Sequence, residues 1–393
     1  MSLSTHRKYA MSLYGIVVFL YWVSQYLYLP TLPVYIRAKT ENLAMVGTVL
    51  AMYGLWQAII RLPLGIMADW VGWRKPFIMG CLILGVLGSW MLGTSETLAG
   101  LIVGRALTGL AAGSWVLLIV SFNSVFSQQE AVRATTLITL VSLLGRWFAT
   151  SVTGFLNTWG GYVLAFFLAA LMAMLALLLM IPAPETRRPP KRPGLQSLLV
   201  LVTRQDVLLP SLLSMLVLYV VWGLSYGFFP LLAKQLGASE VTLSLLVSMS
   251  IVIVILGNLT ATAIALKLGT RRMIAFSFVF QTVGIGLTAL VPSLPVVFVA
   301  QFLVGYAFGV SYPLLMGLSI QYVAEHERAT AMGLHQAVYS IGMFGGPWLS
   351  GLLADSIGMG PMFGITAICT GALGVSGTYW LASRPKYADG NNL

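Results

Sequence analysis

Twelve long apolar stretches, separated by short polar segments, constrain this chain more than any other feature. Each has roughly 18 residues or more, which is the length that an α-helix needs to cross a bilayer. Strands of a membrane barrel alternate in polarity and span only about ten residues, so they do not fit. The sequence therefore predicts an all-α membrane protein, with spans near residues 11–36, 44–68, 76–94, 97–122, 132–157, 161–182, 209–233, 241–265, 273–291, 294–321, 329–353 and 361–382.

Charge supports the same interpretation. Only 8% of the 393 residues are charged, whereas a soluble domain carries about 25%. A net charge of +11 on a soluble protein would suggest nucleic acid as a partner. Here most Lys and Arg residues fall at the termini and in alternate loops, which is the positive-inside pattern. We therefore expect a lipid bilayer as the surroundings, no nucleic-acid partner, and both termini in the cytoplasm.

The chain is two related halves. An aromatic and proline pattern in the first span recurs 200 residues later in the seventh, as Trp22, Tyr26 and Pro30 against Trp222, Tyr226 and Pro230. Such halves are expected to form six-helix bundles as parallel repeats, with a ligand site near the bilayer midplane. We predict bundles at residues 1–182 and 209–393, joined by a proline-rich cytoplasmic linker at 183–208.

A short charged loop separates the second and third spans. Residues 65–75 fit the pattern G-x-x-x-D-x-x-G-x-R-K, and a weaker copy lies about 197 residues downstream. The copy keeps a glycine and a basic pair, with Gly269 opposite Gly72, but Leu266 stands opposite Asp69. The acid is therefore specific to the first half.

This loop, together with Leu101, Arg105 and Gly109 in the fourth span, resembles the signature motifs of the major facilitator superfamily. The chain departs from those motifs at Trp70 and Trp73, where basic residues are common. The resemblance implies a twelve-helix transporter that works by alternating access. It also implies a cytoplasmic gate, in which the acid pairs with basic groups of neighbouring loops and with the start of span 11. The gate candidates are Gly65, Asp69, Gly72, Arg74, Lys75 and Arg133.

The charges within the spans are all positive. Arg61, Arg105 and Arg146 lie within apolar runs, and no Asp or Glu lies in the middle of a span. Ionisable residues in a membrane are costly and are functional candidates by default. Arg61 is near the cytoplasmic end, where its side chain can extend to the headgroups. Carboxylates and phosphates suit the guanidinium group, so Arg105 and Arg146 favour an anionic or zwitterionic substrate.

Aromatic and polar residues complete the candidate cavity. Trp22, Gln25 and Tyr26 share one helix face because they lie at positions i, i+3 and i+4. His335 lies within the eleventh span and could carry a proton, because histidine titrates near neutrality. Packing is the alternative role for these side chains. The remaining candidates for substrate binding or coupling are Trp222, Tyr226, Gln301 and Tyr339.

No catalytic, metal-binding or phosphate-binding motif is evident in the sequence. We therefore expect no enzyme activity, no metal and no cofactor, with a proton gradient as the energy source. The first hypothesis is a monomeric transporter of the bacterial inner membrane that exports a small anionic or zwitterionic molecule, such as a metabolite or a metallophore. The alternatives are a broad multidrug efflux antiporter and a non-transporting sensor or scaffold.

Overall fold

The computed structural model describes residues 3–185, 201–324 and 327–381, so residues 186–200 of the predicted linker lie outside it. Within these ranges the regular structure is helical and contains no strand. The α-helices are α1 (Leu3–Tyr26), α2 (Leu32–Arg37), α3 (Leu43–Val71), α4 (Lys75–Thr94), α5 (Leu98–Ala112), α6 (Trp115–Asn123), α7 (Ala131–Met180), α8 (Gln205–Val220), α9 (Phe229–Gln235), α10 (Glu240–Leu268), α11 (Thr270–Leu290), α12 (Leu294–Gln321), α13 (Arg328–Ile357) and α14 (Met359–Trp380).

The predicted all-α membrane architecture with twelve spans is confirmed. Nine helical segments of the described ranges are long and apolar enough to cross a membrane. One of them, α7, has 50 residues, or about 75 Å of helix, and it contains two spans divided at Gly161, where φ is 68° and ψ is 179°. The helices α1 and α13 have 24 and 30 residues and supply the other two spans.

The first and seventh spans depart from regular α-helix at equivalent places. A turn at residues 27–31 separates α1 from α2, and a π-helical segment, Val221–Phe228, separates α8 from α9. Pro30 and Pro230 lack a backbone N–H and therefore cannot continue the regular helical hydrogen bonding. The hydroxyl of Thr153 on α7 lies 2.7 Å from the carbonyl of Leu27 in this turn and 2.8 Å from the carbonyl of Ala149, so its one hydrogen is shared between the turn and its own helix.

The described chain forms two compact units. Unit 1 comprises Met1–Glu41, Thr48–Pro193 and Ala238–Ser248. Within it, α1 packs along α7, and α4 packs between α5 and α7. Glycine allows α4 and α5 to approach closely, because a Cβ at Gly88 would lie 2.8 Å from the Thr108 side chain. Close approach at small residues is typical of helix packing in lipid.

Unit 2 comprises Asn42–Gly47, Gly194–Gly237 and Met249–Leu393. Within it, α8 packs against α12 and α13, and α11 packs against α12 and α14. The first turn of α3 also belongs to this unit. The Asp355 carboxylate at the end of α13 accepts hydrogen bonds from the Leu43 N–H at 2.9 Å and the Asn42 amide at 3.2 Å, so a carboxylate of α13 caps the start of α3.

Candidate functional site

Each copy of the charged loop contains a glycine with a positive φ. Gly72 and Gly269 have φ values of 69° and 83°. This left-handed region is costly for residues with a Cβ. The turn therefore explains why glycine is present in both copies, although the acid is present in only one.

Asp69 forms the predicted contact with a basic residue of its own loop. The guanidinium of Arg74 lies 3.0 Å from the Asp69 carboxylate. The Asp69 side chain is 57% exposed, whereas the Arg74 side chain is only 14% exposed. The bond therefore holds an exposed carboxylate against a largely buried cation. Arg133, another predicted gate residue, is exposed near the start of α7.

Lys75 connects the same loop to the end of α7. Its ammonium group donates to the carbonyls of Ile181 and Ala183 at 2.6 and 3.0 Å. In return, the carboxylate of Glu185 accepts the backbone N–H groups of Arg74 and Lys75 at 2.7 and 2.9 Å. The cation satisfies carbonyls at a helix C-terminus and the carboxylate satisfies N–H groups at a helix N-terminus, so both contacts are favourable. We call this arrangement the reciprocal cap.

Arg105 is buried in unit 1 and held by aromatic rings. Its side chain on α5 is 1% exposed. The guanidinium carbon lies 4.4 Å from the ring centroid of Tyr53 and 5.9 Å from that of Tyr28, within the range of cation–π attraction. Among the described residues, the guanidinium group donates only one hydrogen bond, a long one of 3.5 Å to the Thr108 hydroxyl. The positive charge therefore rests mainly on π-systems.

Arg146 lies on α7 in the same unit and is held in a similar way. Its guanidinium carbon lies 3.5 Å from the Trp22 ring centroid and 5.2 Å from that of Tyr26. Trp22 also contacts Trp115 edge to face, with centroids 5.1 Å apart. The predicted set of Trp22, Tyr26 and Arg146 is therefore brought together around one cation.

Unit 1 contains several buried polar atoms without a hydrogen-bond partner among the described residues. No carboxylate of those residues lies within salt-bridge distance of Arg105 or Arg146. Buried polar groups are normally satisfied, and exceptions require an explanation such as a ligand or water. The unsatisfied atoms of unit 1 include Trp22 Nε1, Gln25 Oε1, Tyr28 Oη, Gln57 Oε1, Arg105 Nε and Arg146 Nε.

The predicted residues of unit 2 form a less charged set. Trp222 and Tyr226 meet edge to face at 5.5 Å in the π-helical segment. Gln301 is fully buried, and its amide accepts from the Ser225 hydroxyl at 3.0 Å and donates to the Ser225 carbonyl at 3.4 Å. Both ends of this amide therefore have a hydrogen-bond partner within unit 2.

His335 is also fully buried in unit 2. Its Nδ1 lies 3.0 Å from the Ser211 hydroxyl on α8. The Tyr339 ring, one helical turn away, lies at 5.7 Å in an edge-to-face arrangement. The structure therefore places these two predicted residues side by side.

Several residues that shape these contacts were not predicted from the sequence. Tyr53 and Tyr28 hold Arg105, Ser211 holds His335, and Glu185 forms half of the reciprocal cap. Of these, only Glu185 could have been singled out from the sequence, since it is the first acid after the sixth span. The other three belong to ordinary apolar segments, and only the packing of the chain shows their partners.

Comparisons with known proteins agree with this fold. The inner membrane transport protein YajR of Escherichia coli is 36% identical over 99 residues, or 25% of this chain and 22% of that protein. This chain thus covers about a fifth of that relative. A bacterial homologue of the human lysosomal transporter Spinster superimposes with a TM-score of 0.80 at 14% identity, over 96% of this chain and 97% of that one.

The nucleoside transporter NupG superimposes with a TM-score of 0.76 at 17% identity, over 95% of this chain and 100% of that one. At such identities the two structural neighbours establish the fold alone. The family model described as Major Facilitator Superfamily matches residues 14–229 and 211–392, which together cover nearly the whole chain. The chain therefore belongs to the Major Facilitator Superfamily of membrane transporters.

Proposed function

We propose that this protein exports a small anionic or zwitterionic organic molecule by proton-coupled alternating access. The observation that carries the proposal is the cluster around Arg105 and Arg146 in unit 1. Both guanidinium groups rest on aromatic rings, and neither has a carboxylate partner among the described residues. Arg105 is buried and Arg146 is partly buried; a buried charge without a counter-ion is costly, and an anionic ligand would compensate it.

The geometry of the cluster suits a carboxylate or phosphate. The Arg146 guanidinium carbon lies over the Trp22 ring, and a contact with a ring face does not use up the N–H groups, which remain for a ligand. Those N–H groups match the two oxygens of a carboxylate. Gln25 and Gln57 add unsatisfied amide oxygens, which could accept from an ammonium or hydroxyl group. A zwitterion would satisfy both kinds of group.

A cationic drug fits this cluster less well. Aromatic rings often bind organic cations through their faces. Here a guanidinium already occupies the face of Trp22, and a second one lies on Tyr53. The arginines would repel an incoming cation, so the multidrug hypothesis requires that the ligand bind away from them.

The first test is a thermal-shift screen of purified protein against organic anions, zwitterions and cations, including ethidium. We expect stabilisation by anions or zwitterions, and loss of that stabilisation in Arg146→Ala and Arg105→Ala. Arg272→Ala is the matched control, because Arg272 is an exposed arginine of unit 2. Stabilisation by cations alone, retained in Arg146→Ala, would favour multidrug export.

The second test is transport of the selected solute into inverted membrane vesicles energised by a proton gradient. Uptake that collapses with an uncoupler is expected for proton-coupled export, and the two arginine variants should reduce it by about tenfold or more, which corresponds to 1.4 kcal/mol. Uptake unchanged in both variants would exclude the site, and uptake independent of the gradient would exclude proton coupling. Proton coupling, direction and inner-membrane location with cytoplasmic termini are parts of the same proposal.

A further inference from the structure

We propose that the Nε2 atom of His335 is a proton-binding site of unit 2, and that its neutral form is fixed as the Nδ1–H tautomer by Ser211. This inference deepens the proposed function and rests on it, because it names a residue that would bind the coupling proton. It is supported by the hydrogen bonds around His335 and by the absence of a counter-ion among the described residues.

Ser211 fixes the tautomer of His335. The Ser211 hydroxyl lies 2.6 Å from the Val207 carbonyl and donates to it. The same oxygen lies 3.0 Å from Nδ1 of His335. A serine hydroxyl has one hydrogen, and the carbonyl can only accept. The hydrogen of the second contact must therefore come from Nδ1, and Nε2 of the neutral ring has no proton.

Nε2 is the basic atom of this neutral ring. It is buried and has no hydrogen-bond partner among the described residues, and the whole side chain is 0% exposed. No hydrogen-bond donor among the described residues therefore occupies its lone pair, which can accept a proton. A proton needs almost no volume, so it can occupy this site where a larger ligand would require the helices to separate. The site fits a proton better than a substrate group.

The surroundings of His335 supply no negative charge within the described residues. The elements that pack against α13 are α8, the π-helical segment, α12, α14 and the first turn of α3, which has no titratable side chain. The chain around Leu201 and Val323 also packs against α13. The only acid on these described elements is Asp206, which is paired with Arg204 at 2.6 Å.

On α13 itself the only acid is Asp355, twenty positions from His335, or about 30 Å along the helix. The remaining titratable groups on α13 and on the chain packed against it are phenols, one thiol and two guanidinium groups. They are Arg204, Tyr219, Tyr226, Tyr306, Tyr312, Tyr322, Arg328, Tyr339, Cys369 and Tyr379.

An imidazolium at His335 would consequently be a buried charge without a carboxylate partner. Such a charge is unfavourable in a protein interior. The protonated protein should therefore prefer an arrangement in which the ring reaches water or another polar partner. Binding of one proton thus shifts the equilibrium between two arrangements of the helices. Coupling of proton binding to transport requires such a shift.

The experiment is nitrogen NMR of the full-length protein in lipid nanodiscs with ¹⁵N-labelled histidine. The chain has only three histidines, so His335→Gln identifies the signal of His335 by its loss. We expect the shifts of an Nδ1–H tautomer near neutral pH. An Nε2–H tautomer or an imidazolium under those conditions would overturn the proposal.

Ser211→Ala keeps all three histidines and removes the acceptor of the Nδ1 proton. We expect the His335 signal to move towards a mixture of the two tautomers in this variant. An unchanged tautomer would show that Ser211 does not fix it. This variant also keeps the test informative if His335→Gln does not fold.

The second measurement is intrinsic tryptophan fluorescence between about pH 4 and 8, the range in which histidines titrate. We expect a transition in the unsubstituted protein that persists when His6 and His326 are both replaced by Gln and that disappears in His335→Gln. A transition retained in His335→Gln, or none in the unsubstituted protein, would contradict the proposal. Neither measurement uses a transported solute. A negative result in them would therefore exclude the role of His335 alone, whereas a negative vesicle assay would count against the proposed function.

Discussion

The guanidinium carbon of Arg146 lies 3.5 Å from the centroid of the Trp22 ring. This contact joins α7 to α1 within unit 1 through a charge and a π-system. It positions the arginine without neutralising it, because the ring carries no net charge. Arg146 is thus held in one place while its charge is still available to a ligand.

A double-mutant cycle should detect this contact. We expect Arg146→Met and Trp22→Leu to be non-additive in thermal or chemical unfolding, with a coupling energy of about 0.5–2 kcal/mol. Trp159 is the control, because this tryptophan of α7 is 87% exposed. Trp159→Leu should be additive with Arg146→Met. Additivity at Trp22 as well would show that the contact does not stabilise the protein.

Asp69→Asn should slow the transport cycle without removing ligand binding. The substitution keeps the size of the side chain but removes the charge that pairs with Arg74 at 3.0 Å. We expect an unchanged thermal shift with the selected solute and a several-fold slower uptake into vesicles. Glu41→Gln is the control, because Glu41 is also exposed. Lost binding with normal cycling would overturn the gating role of Asp69.

Glu185→Ala should destabilise unit 1 by about 1 kcal/mol, which is typical for loss of a helix N-cap. The reason is that the N–H groups of Arg74 and Lys75 lose their acceptor. Lys75→Met should add to the loss, because the carbonyls at the end of α7 then lose their donor. The melting temperature checks both, with Glu41→Ala as the control. Equal melting of Glu185→Ala and the unsubstituted protein would contradict the reciprocal cap.

Gly72→Ala and Gly269→Ala should each cost about 1–2 kcal/mol, because both glycines have positive φ values. Gly65 provides a matched control in the same motif. It lies within α3, and a Cβ added there would meet no atom within 4 Å, so Gly65→Ala should be neutral or slightly stabilising. Melting temperatures of the three variants test the difference. If Gly65→Ala were the most damaging, the conformational explanation would be wrong.

The contact between Glu130 and its neighbours should depend on pH. Hydrogen bonds from Ser127 hold the pKa of the Glu130 carboxyl below its ordinary value, and Arg7 contributes further. A lowered pKa in the folded state means that the ionised carboxylate stabilises the fold. This stabilisation is present above the pKa of the unfolded chain and is lost as the pH falls through the lowered pKa of the folded state.

We therefore expect Glu130→Gln to melt below the unsubstituted protein at neutral pH. The difference should disappear in acid, once Glu130 itself is protonated. Glu96→Gln, at another exposed acid of unit 1, is the control variant. A difference that persists in acid would mean that the substitution acts through packing and not through charge.

The spans could be predicted well because the bilayer imposes a minimum length on each apolar run. The pairing of Asp69 with Arg74 was also predictable, since the two residues are five positions apart around one turn. The sequence identified Arg146 and Trp22 as site candidates, but it did not predict that they contact each other. These two residues come from different helices, and only the packing of α7 against α1 brings them together.

Other features could not be predicted because they depend on exceptions to regular helix geometry. The π-helical segment at Val221–Phe228 has the apolar composition of an ordinary span, so hydropathy does not distinguish it. The tautomer of His335 depends on Ser211 donating to Val207, and Ser211 is one of many serines in apolar helices. The local sequence does not indicate which of these serines contacts a histidine of another helix.

The reciprocal cap also has a consequence for the order of synthesis. A chain emerging from the ribosome folds from its N-terminal end, so α4 is made long before Ile181, Ala183 and Glu185. Until those residues emerge, the Lys75 ammonium and the N–H groups at the start of α4 lack their final partners. This end of the first six spans can therefore be completed only after the last of them has been translated.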